Sequence, residues 1–204
     1  GIGWWMVKSG LVDNPFVSPY RLAVHLGMAL LIFAVLWWTV LDLIKSGCST
    51  SLDGPLHKSG QLLHASAALV LLGIAIIWGA FVAGLDAGMI YNSFPLMDGR
   101  VFPVETFGAL SLVAEHGWVQ FAHRWLGIVT GIVAFALGWR LRDIFLMGAV
   151  VVQVGLGITT LLTQVWIPAA ALHQLGAIIL LAALLRTLHY LLKPYGPAGA
   201  FAEA

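Results

Sequence analysis

The sequence predicts an all-α fold, a polytopic membrane helical bundle with five transmembrane helices. Three observations carry that prediction: 60% of the 204 residues are hydrophobic and only 9% charged, five long runs are almost free of charge, and none of those runs alternates as a strand does. A soluble domain carries about 25% charged residues, and with a mean hydropathy of +0.95 this chain reads as an integral membrane protein.

The runs cover roughly residues 22–44, 62–84, 119–139, 143–164 and 169–191. Each is long enough to cross a hydrocarbon core of about 30 Å as a helix. Lipid leaves no open backbone satisfied, and a membrane barrel would show alternating strands of about 10 residues. The first run stops at Lys45. The second carries Ala80 and Gly84. The third places His123, Gly127 and Gly131 on one face at i, i+4 and i+8. Gln153, Gly155 and Gly157 mark the fourth as closely packed, and Gly176 follows His173 by three in the fifth. Small residues admit either a neighbouring helix, the ordinary reason for them, or a flat ring.

Basic residues orient the bundle. Lys45 and Lys58 flank the first interhelical loop, Arg140 and Arg142 the third, and Arg186 and Lys193 the C-terminal end, so these regions share the inner side. The outer side then carries the N-terminal segment, a loop over about 85–118 with Asp86, Asp98, Glu105 and Glu115 against Arg100, and the turn at Ile167-Pro168. A net charge of +1 without a Lys/Arg cluster excludes nucleic acid as a partner. Cys48 is the single cysteine, so no disulfide or CxxC couple forms within the chain. The chain opens at Gly1 without initiator Met or signal-like segment, and the expectation is an N-terminally truncated protein.

On this topology His25, His123 and His173 lie near the outer ends of three spans. Each is about four residues in, or about 6 Å deep at 1.5 Å per residue. Imidazole at membrane depth is costly unless it has a function. His123 and His173 are on spans that both run inward, so they can face each other and hold one heme iron axially. Zinc fits less well, because no Cys, Asp or further His closes a tetrahedral site there. The plainer reading is a pair of histidines hydrogen-bonded within the bundle. His25 matches their depth without an outer partner, since His116 reads as a solvated loop residue. His64 and His189 read as structural residues near the inner boundary, and His57 as solvated. Arg124 and Arg21 sit at the outer edge, where a guanidinium can pair with heme propionates or with lipid headgroups. The loop from Ala83 to Gly99 can lie flat on the interface as a lid or anchor there through Tyr91 and Phe94.

That loop, Ala83-Gly-Leu-Asp-Ala-Gly-Met-Ile-Tyr-Asn-Ser-Phe-Pro-Leu-Met-Asp-Gly99, resembles the loop after the fifth helix of the heme A synthase family, of proteobacterial and mitochondrial type. Trp4 to Leu11, Tyr20 to Leu26, Phe121-Ala-His-Arg124, Gln153 to Leu161 and Ala171-Leu-His-Gln174 are similar to that family's other segments, in order. The resemblance implies two four-helix halves, each with a histidine pair for heme, and assigns the five spans to helices four to eight. Residues 1–60 would then hold an outer segment, the last helix of the N-terminal half and an inner loop, and residues 61–204 the C-terminal heme-binding half. His123 and His173 would hold heme b, and His25 would serve the N-terminal site.

The activity implied is oxidation of the heme O methyl group to the formyl group of heme A, in a bacterial or mitochondrial inner membrane. Heme O synthase, terminal-oxidase assembly factors and membrane lipid are the implied partners; the electron donor is not indicated. Three helices, a partner histidine and an acidic outer-loop residue of the family are absent here, so the fragment alone is expected to be inactive. The family's loop cysteines are not matched either. Two rival readings are a bis-histidine membrane cytochrome that only passes electrons and a heme-handling assembly protein without catalysis.

Overall fold

The computed structural model describes residues 1–8, 17–44 and 55–192, with side chains from residue 59 onward in the last stretch. Lys45, Cys48 and Lys193, and the side chains of His57 and Lys58, lie outside the described residues. The helices are α1 (Ile2–Val7), α2 (Pro19–Leu43), α3 (Pro55–Gly84), α4 (Ser111–Ala114), α5 (His116–Leu141), α6 (Ile144–Leu162) and α7 (Ile167–Leu192), with a 3-10 turn at Ala87–Met89. Five of them, α2, α3, α5, α6 and α7, are long and apolar enough to span a membrane, as the composition requires.

Four of the spans form a ring: α3 packs on α5, α5 on α6, α6 on α7, and α7 back on α3. Helices α5 and α7 are therefore diagonal partners. Helix α2 stands outside the ring, along the seam between α3 and α7. Ala68, Leu72, Leu137, Leu146, Val150 and Leu184 are buried in one cluster, which fills the inner half of the bundle. Its alanines let the helix backbones approach closely, which is how membrane helices gain packing energy without a hydrophobic driving force.

Helix α2 is keyed to the bundle at both ends. At the inner end His189 donates Nε2–H to Asp42 Oδ1 at 2.7 Å, Trp38 packs edge-on against the His189 ring at 5.0 Å, and Trp37 donates Nε1–H to the Ala182 carbonyl at 3.0 Å. At the outer end Pro19 occupies the space that a Cβ on Gly84 would need, its Cα only 2.9 Å from that position. His64 also bridges helices, donating Nε2–H to the Val133 carbonyl at 2.9 Å.

The tight connection between α5 and α6 follows from two residues. Arg142 takes a left-handed conformation at φ 55° to end α5, and the Asp143 side chain accepts from Leu146 N to cap α6. Arg186 of α7 then pairs with the same Asp143 at 2.5 Å, tying a third helix to the turn.

The outer segment is folded down onto the bundle rather than spread along the interface as a flat lid. Ala87, Tyr91 and Met97 are buried, while Met89, Ile90, Phe94 and Leu96 stay exposed. The physical reason is Arg124, whose guanidinium gathers four carbonyls of this segment, as described below. His116 also departs from expectation: it is the exposed first residue of α5, not a loop residue. No side chain caps α5 locally. The Glu105 carboxylate lies against the first turn, near the positive end of the helix dipole, seated so tightly against Gly117 that a Cβ there would overlap it.

Candidate functional site

The diagonal helices α5 and α7 carry His123 and His173 into the outer half of the bundle, where the two rings meet. Their centroids are 6.4 Å apart and their planes are 83° to one another. Each ring is fixed from behind by a backbone carbonyl on a neighbouring helix. His123 donates Nδ1–H to Ala75 of α3 at 3.0 Å, and His173 donates Nδ1–H to Gln153 of α6 at 3.2 Å. A carbonyl can only accept, so both rings hold the Nδ1–H tautomer and keep the Nε2 lone pair free. This is the outer-shell hydrogen bond that metal-ligating histidines use to set tautomer and orientation. His64 and His189 have the opposite arrangement, spending Nε2 on the structural bonds given above.

The spacing suits a shared metal. A metal–imidazole bond of about 2 Å, with the ring centroid about 1 Å behind its nitrogen, puts two axial imidazoles roughly 6 Å apart on one iron. Gly127, one turn below His123, has no atom within 4 Å of where its Cβ would be, whereas Gly131 beyond it packs on Val154. Open space thus lies along the face of α5 next to the ring. Among the described residues no three His, Cys, Asp or Glu side chains converge. Two nitrogens and a slot match an axial pair on a flat macrocycle better than a closed tetrahedral site.

Above the pair, Arg124 is only 8% exposed. Its Nη1 donates to the carbonyls of Ser93, Pro95 and Leu96 at 3.0, 3.0 and 2.8 Å, and its Nη2 to that of Tyr91 at 3.0 Å. The cation expected at a propionate is thus turned to the loop, because four carbonyl dipoles converge on it. Gln120 adds a bond to the Tyr91 carbonyl at 3.3 Å. Asn92 extends the same roof to the far side, donating to Gly88 O at 2.8 Å and to Leu161 O, at the end of α6, at 2.9 Å.

His25 and Arg21 are placed elsewhere. The His25 ring packs on Gly3 of α1, its Cε1 3.2 Å from where a Cβ would stand. Arg21 donates to the Trp5 carbonyl at 2.9 Å and lies over the Trp5 ring at 4.7 Å. Both therefore form a second locus around α1 and the start of α2. His116 remains exposed at the outer surface.

Sequence reading found the two histidines but not their holders. Ala75 and Gln153 act through the backbone, which no side-chain motif reports. Gly79 and Gly157, which lie under the two rings, are visible in the sequence only as glycines.

Comparison with known proteins adds independent information. A protein named heme A synthase from Rhodospirillum centenum is 47% identical across 96% of this chain and 55% of its own length. Proteins of the same name from Nitrosospira multiformis and Rickettsia rickettsii are each 40% identical, over 94% and 95% of the chain and 57% and 60% of their own lengths. The chain spans a little over half the length of these curated relatives. Residues 1–185 match the family model described as cytochrome oxidase assembly protein, and with relatives aligned over more than nine-tenths of its length the chain belongs to the COX15-CtaA family.

Proposed function

We propose that the ring of α3, α5, α6 and α7 holds a b-type heme between His123 and His173, as part of a membrane enzyme that oxidises heme O to heme A. The observation that carries this is the matched pair of free Nε2 atoms on rings 6.4 Å apart, each backed by a carbonyl. A bound heme supplies a one-electron couple there. Held by His123 and His173, the group would serve an electron relay rather than oxygen binding. The dry inner core isolates the pair from the inner surface, and the Arg124 roof shields it from outer water.

In this reading residues 61–204 are the heme-binding half, and residues 1–60 contribute an outer segment, one helix of the other half and an inner loop. His25 serves the second heme site, where heme O is oxidised, with Arg21 beside it as the cation for a propionate. Arg124 acts on the first site by holding its roof. The relatives' printed name supports the activity, and the share of their length matched here supports a fragment that does not catalyse alone. The host is a bacterial plasma or mitochondrial inner membrane.

The test is to express a full-length relative containing this region with a heme O supply and analyse extracted hemes. Formyl product with the native sequence, and its loss on replacing His123 or His173, is the expected result. Bound heme with no conversion would instead favour a cytochrome that only passes electrons.

A further inference from the structure

The two histidine holders are built alike, and the likeness extends to a residue type the hydrogen bonds do not name. Ala75, whose carbonyl takes the His123 proton, is four residues before Gly79; Gln153, which takes the His173 proton, is four before Gly157. A Cβ on Gly79 would meet His123 Cε1 at 3.1 Å, and one on Gly157 would meet His173 Cε1 at 2.8 Å. His25 lies on Gly3 in the same way, with Cε1 at 3.2 Å. Three rings on three different helices each rest on a glycine.

Helix geometry explains the offset of four. A side chain leans toward the helix N-terminus and covers the turn before it. Residue i+4 therefore shields the second lone pair of carbonyl i, the one not used by the helix. Glycine leaves that lone pair open and lets a ring settle onto it. The fifth and seventh helices supply the imidazoles; the third and sixth supply a gap and an acceptor.

We infer that Gly79 and Gly157 are positioning residues, which set the tautomer, tilt and donor strength of His123 and His173 as axial ligands. This rests on the heme-binding reading above for its effect on iron, but the tautomer itself does not. The Nδ1–H to carbonyl bond makes an imidazole a stronger donor, which favours the ferric state. Displacing the ring from its carbonyl raises the midpoint potential. It also shifts the low-spin ferric g-values, which follow the angle between axial planes, here 83°.

The experiment uses the chain with and without added heme b and compares Gly79→Ala and Gly157→Ala with Gly73→Ala, whose Cβ would meet nothing within 4 Å. Imidazole 15N spectra of the heme-free chain are expected to show both histidines protonated at Nδ1. Gly157→Ala should abolish this for His173, with Gly79→Ala acting more weakly on His123. In heme-loaded protein both variants should keep the heme, raise its potential and alter its g-values, in the same order, while Gly73→Ala matches the parent. Potentials, g-values and tautomers unchanged in both variants would overturn the inference. If the parent chain takes up no heme, the functional reading fails, and the 15N spectra alone decide: Nε2–H in the parent overturns the inference. If Gly157→Ala does not fold, the milder Gly79→Ala decides.

Discussion

His123 and His173 belong to helices that are diagonal in the bundle, yet their rings are 6.4 Å apart. Neighbouring helices bring such residues together easily; diagonal ones do so only where nothing fills the centre. Leu137, Leu146 and Leu184 fill it in the inner half. The outer half is given to the imidazoles, and the energy of packing is concentrated below them.

Arg124 is expected to be the main tie between the outer segment and the bundle. Each hydrogen bond to a charged group contributes about 1.5–3 kcal/mol, and four converge on one guanidinium. Arg124→Ala should destabilise the segment by about 3 kcal/mol or more, since the freed carbonyls are only partly rehydrated. Amide hydrogen exchange over residues 91–97 reports it. Exchange as slow as in the parent would mean that the buried apolar residues Tyr91 and Met97 hold the segment by themselves.

Gly117 is expected to tolerate no side chain while Glu105 keeps its place. A Cβ there overlaps the carboxylate, and relieving such overpacking costs about 1–3 kcal/mol. Tyr91 donates its hydroxyl to Glu105 Oε2 at 3.1 Å, so the displacement spreads to the roof. Thermal unfolding in detergent should show Gly117→Ala and Glu105→Ala both destabilised, with the double variant losing less than their sum. Strict additivity would separate the two residues.

The fold class and the five spans were legible because hydrocarbon leaves so few options: length and apolarity decide a crossing helix by themselves. That His123 and His173 could meet was legible from their matching positions near the ends of two spans, and their rings are 6.4 Å apart. The carbonyl partners of Arg124 were not legible, because Tyr91 to Leu96 are about thirty residues away in sequence and act through the backbone. The start of α5 was missed by three residues since no capping side chain marks it, and the carboxylate that lies against its first turn, Glu105, is not adjacent in sequence. Side-chain chemistry and hydrophobic length can be read along the chain; backbone acceptors and distant carboxylates meet their partners only once it has folded.

Asp42 is expected to fix α2 against the bundle. Removing it leaves Nε2–H of His189, a residue 1% exposed, without its partner, and an unsatisfied buried donor costs about 1–3 kcal/mol. Asp42→Ala should speed hydrogen exchange in the inner turn of α2 and leave α5 and α6 unchanged. Equal loosening of all spans would show that the pair supports the whole bundle.

The most direct measurement is a heme b titration of the purified chain, followed by absorbance. One heme per chain is expected, with a six-coordinate low-spin spectrum that is lost in both His123→Ala and His173→Ala and retained in His64→Ala. Low-spin heme bound undiminished after either of the first two substitutions, or lost equally after the third, would contradict the assignment of His123 and His173 as the axial pair.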